Sequence, residues 1–230
     1  MADVTYDDLS SAKGKLIRKA LGGFILVAPM SAPVPDKLLA DANGNFTDFK
    51  ALGYQPLGWL TKGDGINFSR EQEQQETESF GSLEPTRIDF TKDTTSAAFT
   101  CQETNKQVLE MYYNLDLDGK TFDANGELSF DQEKIPSIIY RRMIYIAKDG
   151  NGADAKYIAK VMPKAVLSEV SEQSWSPESE IGYGMTIKAT QDDELGVAVR
   201  HVFAGPGFAA LAEDMGFAAA SGGVTDPENP

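Results

Sequence analysis

Cysteine and histidine are nearly missing from this chain, which has one of each, Cys101 and His201, among its 230 residues. A single cysteine excludes an internal disulfide framework and any zinc site built from several thiolates. Cys101 and His201 lie far apart in the sequence, and neither stands in a local catalytic signature, so both are interpreted as structural residues. A nucleophile elbow, a phosphate-binding Walker loop and a dinucleotide-binding fingerprint are missing as well. We therefore predict no cofactor and no catalytic residue, and we expect that the chain is not an enzyme.

Basic residues are also in short supply, since 21 lysines and arginines stand against 35 aspartates and glutamates and give a formal net charge of −14. A general nucleic-acid binder needs a basic face to neutralise phosphates, so this class is excluded. The acidic excess suits a protein that must stay soluble at high concentration or repel nucleic acid. The many carboxylates do not single out one pair for acid–base catalysis.

Long hydrophobic runs are lacking too. The most apolar stretch, "ALGGFILVAPM" (20–30), is about half as long as the roughly 20 residues that a membrane-spanning helix needs. Basic residues at 13–19 precede it, as in a secretory signal, but aspartates at 3–8 occupy the region that a signal keeps positive. The core of this run, "FILVA", is typical of a buried strand. We predict no membrane association and a flexible segment over 1–22, and a secreted β-sandwich binding module stays open as an alternative.

The segment "DLDGKTFDANGE" (116–127) superficially resembles a calcium-binding loop. With Asp116 as the first ligand, the fifth position is Lys120, a cation where an oxygen ligand is required, and the sixth is Thr121 instead of glycine. Its Asp-Gly and Asn-Gly pairs are instead typical of hairpin turns. No metal site is predicted.

Short segments with alternating apolar residues dominate the chain and predict strands. The predicted strands lie at 23–35, around Trp59, at 66–69, 85–103, 126–132, 137–150, 155–172 and 180–205. In the segment 85–103, Ile88 and Phe90 share one face of a strand, whereas Phe99 and Cys101 share a face of the next strand.

One helix is predicted at about 104–115, with Thr104 or Asn105 as its N-cap and an apolar stripe at helical spacing. The pattern favours a mainly β (α+β) protein, a β-sandwich or barrel flanked by one α-helix. We predict a single domain over 23–217, followed by a mobile C-terminal tail over 218–230.

The stretch "REQEQQETESFGSLEPTRID" (70–89) has no apolar side chain from Arg70 to Ser79. It lacks the ligand spacing of a metal site and a distinguishable catalytic carboxylate pair. Because it lies between two strong strand signals and contains an aromatic-Gly pair, a plain disordered spacer is not expected here.

The order of several short pieces resembles the major tail (tail tube) proteins of long-tailed, siphovirus-type bacteriophages. The pieces, in order, are Gly58-Trp59-Leu60, Asp64-Gly65-Ile66, Phe80-Gly81, Thr86-Arg87 and the segment from Phe99 to Tyr112. Upstream, "ILVAPMSAPVP" (25–35) is similar to the opening strand and arm of that family, and "RHVFAGPGFAALAEDMGF" (200–217) is similar to its ending. The resemblance extends over most of residues 24 to 217.

This resemblance implies a phage tail tube type fold and a structural virion protein that self-assembles into stacked hexameric rings. The stacked rings would form the hollow tail tube through which DNA is delivered to the host, without sequence-specific binding of that DNA. The implied partners are further copies of the chain, the tape measure, the tail terminator and the tail tip proteins. The protein would be made in the bacterial host cytoplasm and reside in the virion tail. Another ring-forming head–tail or tail component is the alternative.

Two sets of contact residues follow from the resemblance. The resemblance implies that residues at about 69–85 form a polar strand end and an extended loop. This loop is expected to touch an adjacent subunit or ring, and an N-terminal arm is expected to make further contacts. The candidate loop residues are Glu71, Glu73, Glu76, Glu78, Phe80 and Arg87, and the candidate arm residues are Pro29, Pro33 and Pro35.

Overall fold

The computed structural model describes residues 4–218, apart from the side chains of Asp7 and Asp8, and this part of the chain is mainly β. The strands are β1 (Gly22–Pro29), β2 (Gln55–Pro56), β3 (Ile66–Thr77), β4 (Arg87–Cys101), β5 (Tyr140–Asp149), β6 (Lys156–Val170), β7 (Tyr183–Thr190) and β8 (Arg200–Ala204). The α-helices are α1 (Tyr6–Ser10), α2 (Lys106–Tyr112) and α3 (Pro206–Ala209), with single 3-10 turns at Gly14–Leu16 and Gly152–Asp154. The predicted mainly β class is confirmed.

The strands form one antiparallel sheet in the order β2-β1-β5-β6-β7-β4-β3, and β8 also pairs with β6. β6 pairs with β5 along one edge, while its other edge pairs with β8 through 157–161 and with β7 through 164–170. Pro163 lies between these two halves, where β6 also has a bulge opposite β5. Because proline has no N–H to donate, this break in the ladder is a position that tolerates it.

Both faces of β1 and β5 are buried, which explains why their sequences read as continuous apolar runs. Ile25 and Tyr145 belong to one core, which β4, β7 and helix α2 cover. Leu26 and Ile144, the adjacent residues, belong to a second core, which the segment 32–54 covers together with β8. The curled sheet thus gives a sandwich-like body with little helix.

Helix α2 is shorter than the predicted 104–115. Asn105 is its N-cap, and the Asn105 side chain accepts a hydrogen bond from the Val108 N–H at 3.0 Å. Asn114 adopts the left-handed conformation with φ of 52°, which stops the helix before Leu115. No helix in the described range is long and apolar enough to cross a membrane.

Several predicted strands and loops differ from the structure. Residues 126–132 form turns and irregular chain, and Trp59 lies outside any strand with 77% of its surface exposed. The two strands expected within 85–103 are the single strand β4. The predicted loop at about 69–85 is strand as far as Thr77, so only 78–86 connects β3 to β4. A polar sequence can form a strand here because the ladder to β4 satisfies the backbone groups that face β4, while solvent can satisfy the others without a core.

The predicted terminal segments are described in part. Within the predicted flexible segment 1–22, residues 1–3 lie outside the described range, and α1 and the turn at Gly14–Leu16 follow. Lys13 and Lys15 form ion pairs with Asp214, which connects this segment to the chain after α3. Of the predicted C-terminal tail 218–230, residues 219–230 lie outside the described range.

Candidate assembly surface

A long β-hairpin, formed by β3 and β4, projects from the sandwich-like body. β4 pairs with β7 only through residues 96–101, whereas its pairing with β3 continues from Phe99 out to Arg87. At about 3.3 Å per residue, the stretch of β3 from Ser69 to Thr77 is roughly 25 Å long. We call residues 69–95, which include the connecting turn, the outer hairpin.

Ion pairs across the two strands hold the outer hairpin together. Arg70 donates two hydrogen bonds to the Asp93 carboxylate, at 2.8 Å and 2.5 Å. Lys92 lies 2.9 Å from a carboxylate oxygen of Glu73 and 3.0 Å from one of Glu71. These bonds raise the pKa of Lys92, and the bond from Arg70 lowers the pKa of Asp93. Because the groups are solvent-exposed, the pairs define the register of the strands more than they stabilise the fold.

The outer hairpin contains all six predicted loop residues. Glu71 and Glu73 face Lys92, and Glu76 stands opposite Ile88. The remaining three are Glu78 in the connecting turn, Phe80 near its tip and Arg87 at the start of β4. The structure therefore brings these residues onto one projecting element, although mostly on strands and not in a loop.

Exposed apolar side chains are the feature of the outer hairpin that sequence reasoning largely missed. Phe80 and Leu83 in the connecting turn have relative exposures of 110% and 105%. Ile88 and Phe90 on β4 are 54% and 64% exposed. Their alternation was visible in the sequence, but the pattern alone predicts burial in the subunit. Apolar side chains exposed on a projecting element mark an interaction surface.

The predicted arm prolines lie on the body of the subunit. Pro29 is the exposed last residue of β1, and Pro33 is exposed with its carbonyl accepting a hydrogen bond from Tyr54 Oη at 3.2 Å. Pro35 is buried, and its carbonyl accepts a hydrogen bond from Arg200 at 3.2 Å. The chain after β1 therefore packs onto the sheet instead of projecting as an arm. Contacts of Pro29 and Pro33 with another subunit stay a prediction.

The reactive residue types offer little chemistry within the described range. Cys101 is fully buried, and this burial raises the pKa of its thiol to about 12, so the nucleophilic thiolate does not form near neutral pH. His201 is exposed on β8, in register with Lys160 of β6.

Three carboxylates, those of Glu110, Asp116 and Asp118, have oxygens within 4.8 Å of one another. Lys106 forms ion pairs with Glu110, at 3.4 Å, and with Asp118. The hydrogen bond to Asp118 raises the pKa of Lys106, which keeps the ammonium charged. The lysine thus supplies positive charge to this group, which links helix α2 to the loop that follows it.

Comparison with known families assigns the chain. Residues 11–200 match the family model described as phage tail tube protein, a range that includes the outer hairpin and strands β1 to β7. The comparison with individual curated proteins gave no match. Since the family match extends over well more than half of the chain, the chain belongs to the phage tail tube protein family. This membership confirms the resemblance found in the sequence and identifies a structural component of the phage virion tail.

Proposed function

We propose that this member of the phage tail tube family assembles into hexameric rings that stack into the hollow tail tube through which DNA is delivered to the host. The chain acts as a structural protein and not as an enzyme. The outer hairpin is the observation that carries the proposal. It carries exposed apolar side chains and unpaired backbone groups, and it extends beyond a body that has its own two cores.

The edges of the outer hairpin are suited to contacts between copies. Within residues 4–218, β3 pairs only with β4, and β4 beyond Ser96 pairs only with β3. Both edges of the outer hairpin therefore present free N–H and C=O groups to a neighbour. A long exposed edge favours uncontrolled association unless it is charged or covered, and β3 has both signs of charge along its length. A ring of subunits covers such edges in a controlled way.

Two kinds of contact between copies are needed for a tube. A head-to-tail contact that closes by rotation gives a ring, and a second head-to-tail contact that does not close gives a stack. The hairpin is long enough to reach beyond its own subunit, which suits either contact. Tape measure, tail terminator and tail tip proteins are the proposed partners at the interior and the two ends of the stack.

The charge of the chain fits the passage of DNA. A net charge of −14 repels the phosphate backbone, so a tube lined in part by acidic side chains lets DNA slide without sequence-specific binding.

Electron microscopy of concentrated purified protein tests the proposal. Uniform tubes of stacked six-fold rings are the expected result. Phe80→Ala should leave a folded subunit that assembles poorly, because the most exposed apolar side chain of the hairpin is removed. Phe122→Ala is the matched control, since Phe122 is also exposed (68%) but lies outside the hairpin.

Three results would count against this proposal. A protein that stays monomeric at every concentration would contradict self-assembly, and isolated rings that never stack would favour another ring-forming tail component. Equal assembly by Phe80→Ala and the unmodified protein would remove the hairpin from the contact.

A further inference from the structure

The apolar residues of β4 change phase along the strand. In its inner half the buried residues are Ala97, Phe99 and Cys101, at odd positions. In its outer half the apolar residues are Ile88 and Phe90, at even positions. Successive side chains of a regular strand point to opposite faces, so these two sets would lie on opposite faces of an unbroken strand.

A β-bulge at Thr91 compensates for this change from odd to even positions. Glu73 pairs with Lys92, but the next residue of β3, Gln74, pairs with Phe90, which leaves Thr91 without a partner on β3. One extra residue in a strand reverses the alternation beyond it. Ile88 and Phe90 therefore lie on the same face of the hairpin as Ala97 and Phe99, the face that enters the first core.

The two faces of the outer hairpin consequently differ in chemistry. The first, which we call the apolar face, begins at Phe68, whose ring packs against Tyr145 with the centroids 5.3 Å apart, and carries Phe90 and Ile88 at its outer end. Between them lies the Arg70–Asp93 ion pair with Gln72, and Gln74 and Glu76 stand opposite Phe90 and Ile88. The opposite face, called the polar face here, has no apolar side chain on the outer hairpin strands. Its charged members are Glu71, Glu73, Arg87, Asp89 and Lys92.

Folding of the single subunit does not account for this arrangement. Ile88 and Phe90 remain 54% and 64% exposed, so their orientation adds little to the core of their own chain. The polar face, by contrast, satisfies its charges internally through Lys92 with Glu71 and Glu73, and through Arg87 with Asp89. The bulge thus places the exposed Ile88 and Phe90 on the face opposite the paired charges of Lys92 and Arg87.

We propose that the bulge at Thr91 selects which face of the outer hairpin docks: the apolar face, with Ile88 and Phe90, packs against a second copy of this chain, while the polar face stays in water. This inference rests on the proposed self-assembly. The outer hairpin is about as long as one side of a typical protein interface, roughly 20–30 residues. Its four exposed apolar side chains present on the order of 500 Å² of apolar surface, at the upper end of what monomers tolerate.

A set of three variants tests whether assembly depends on the face on which Ile88 and Phe90 lie. The first inserts one serine between Glu73 and Gln74 of β3, which gives Thr91 a partner, removes the bulge and moves Ile88 and Phe90 to the polar face. The second exchanges neighbours at constant composition, with Arg87→Ile, Ile88→Arg, Asp89→Phe and Phe90→Asp, which also moves the apolar pair to the polar face. The third combines the insertion with the exchange, which returns the apolar pair to its original face.

Each of the first two variants is expected to raise the protein concentration needed for assembly about a hundredfold, and the combined variant to bring it back near the wild-type value. Light scattering and electron microscopy measure assembly. Circular dichroism and thermal melting of the monomer should show an intact body in all three variants, because the changes lie outside both cores.

The outcomes separate this inference from the proposed function. If the wild type assembles and the insertion variant does so equally well, the inference is overturned and self-assembly stands. The same holds if the combined variant is as defective as the exchange alone. A wild type that never associates would overturn self-assembly and this inference with it.

Discussion

The body and the outer hairpin are parts of one continuous sheet, yet different interactions hold their strands in place. In the body, Ile144 of β5 is 0% exposed, and both faces of its strand are covered. In the outer hairpin, Ile88 of β4 is 54% exposed, and the strands are joined by their ladder and by ion pairs. The body thus buries its apolar side chains within the subunit, whereas the hairpin leaves its apolar side chains exposed, and the proposed assembly would cover them.

The largest expected difference between the two regions is in thiol reactivity. Cys101 is fully buried and its pKa is raised to about 12, so we expect it to react about a thousandfold more slowly at pH 8 than a cysteine introduced by Ser79→Cys in the exposed connecting turn. Labelling of the folded monomer with a thiol reagent, followed by mass spectrometry, measures both rates. Similar rates would mean that the body opens as readily as the hairpin.

Truncation of one isoleucine in each region gives the next largest difference. Ile144→Ala should lower the free energy of unfolding by about 4 kcal/mol, because it leaves a cavity in the second core. Ile88→Ala should lower it by less than about 0.5 kcal/mol, because the side chain is mostly in solvent. Urea unfolding of the monomer compares them, and a large loss for Ile88→Ala would place the outer hairpin within the cooperative fold.

A buried ion pair of the body provides a third test. Arg142 lies 3.2 Å from Asp192 and also donates to the carbonyls of Met30 and Pro163. Asp192→Asn should lower the free energy of unfolding at pH 7 by about 3 kcal/mol, since it leaves the buried guanidinium without its counter-charge. Asp193→Asn is the control, because the adjacent Asp193 is 88% exposed in its ion pair with Lys164 and should cause little change.

The effect of Asp192→Asn should depend on pH. Hydrogen bonds from the backbone N–H of Leu195 and then that of Glu194, together with the charge of Arg142, lower the pKa of Asp192. A carboxyl whose pKa is lower in the folded state contributes its full stability above its unfolded value, about 3.9, and loses it as the pH falls through the folded value. The difference between variant and wild type should therefore shrink in acid, and a difference independent of pH would contradict this role.

The smallest effect is expected for an ion pair of the outer hairpin. Lys92→Met removes the contacts with Glu71 and Glu73, but both carboxylates are exposed and Lys92 is half-buried at most, and ion pairs with exposed partners contribute little to stability. We expect almost no change in the melting temperature of the monomer, and less still at high salt, which screens exposed charges. A clear drop would show that the polar face supports the fold as well as the register.

Local patterns in the sequence predict the body better than the hairpin. "FILVA" predicts β1, and Asn105 predicts the start of helix α2, because burial and capping depend on a few neighbouring residues. The same local patterns do not predict the strand over the polar run 70–77, because this strand depends on a ladder to β4 and not on apolar alternation. Pro35 is a similar case, because it is buried and its carbonyl accepts a hydrogen bond from Arg200, far along the chain.

The sequence by itself determined the mainly β class, the acidic charge and the family, because composition, alternation and the order of short pieces are properties of the chain alone. It also contained the change of apolar phase between Phe90 and Ala97. Only the tertiary structure decided that β4 is one strand with a bulge at Thr91, and hence that Ile88 and Phe90 share a face with the core. The physical reason is that the face on which a strand residue lies is defined by its register with the partner strand. The partner here, β3, has no apolar residue beyond Phe68 that would indicate this register in the sequence.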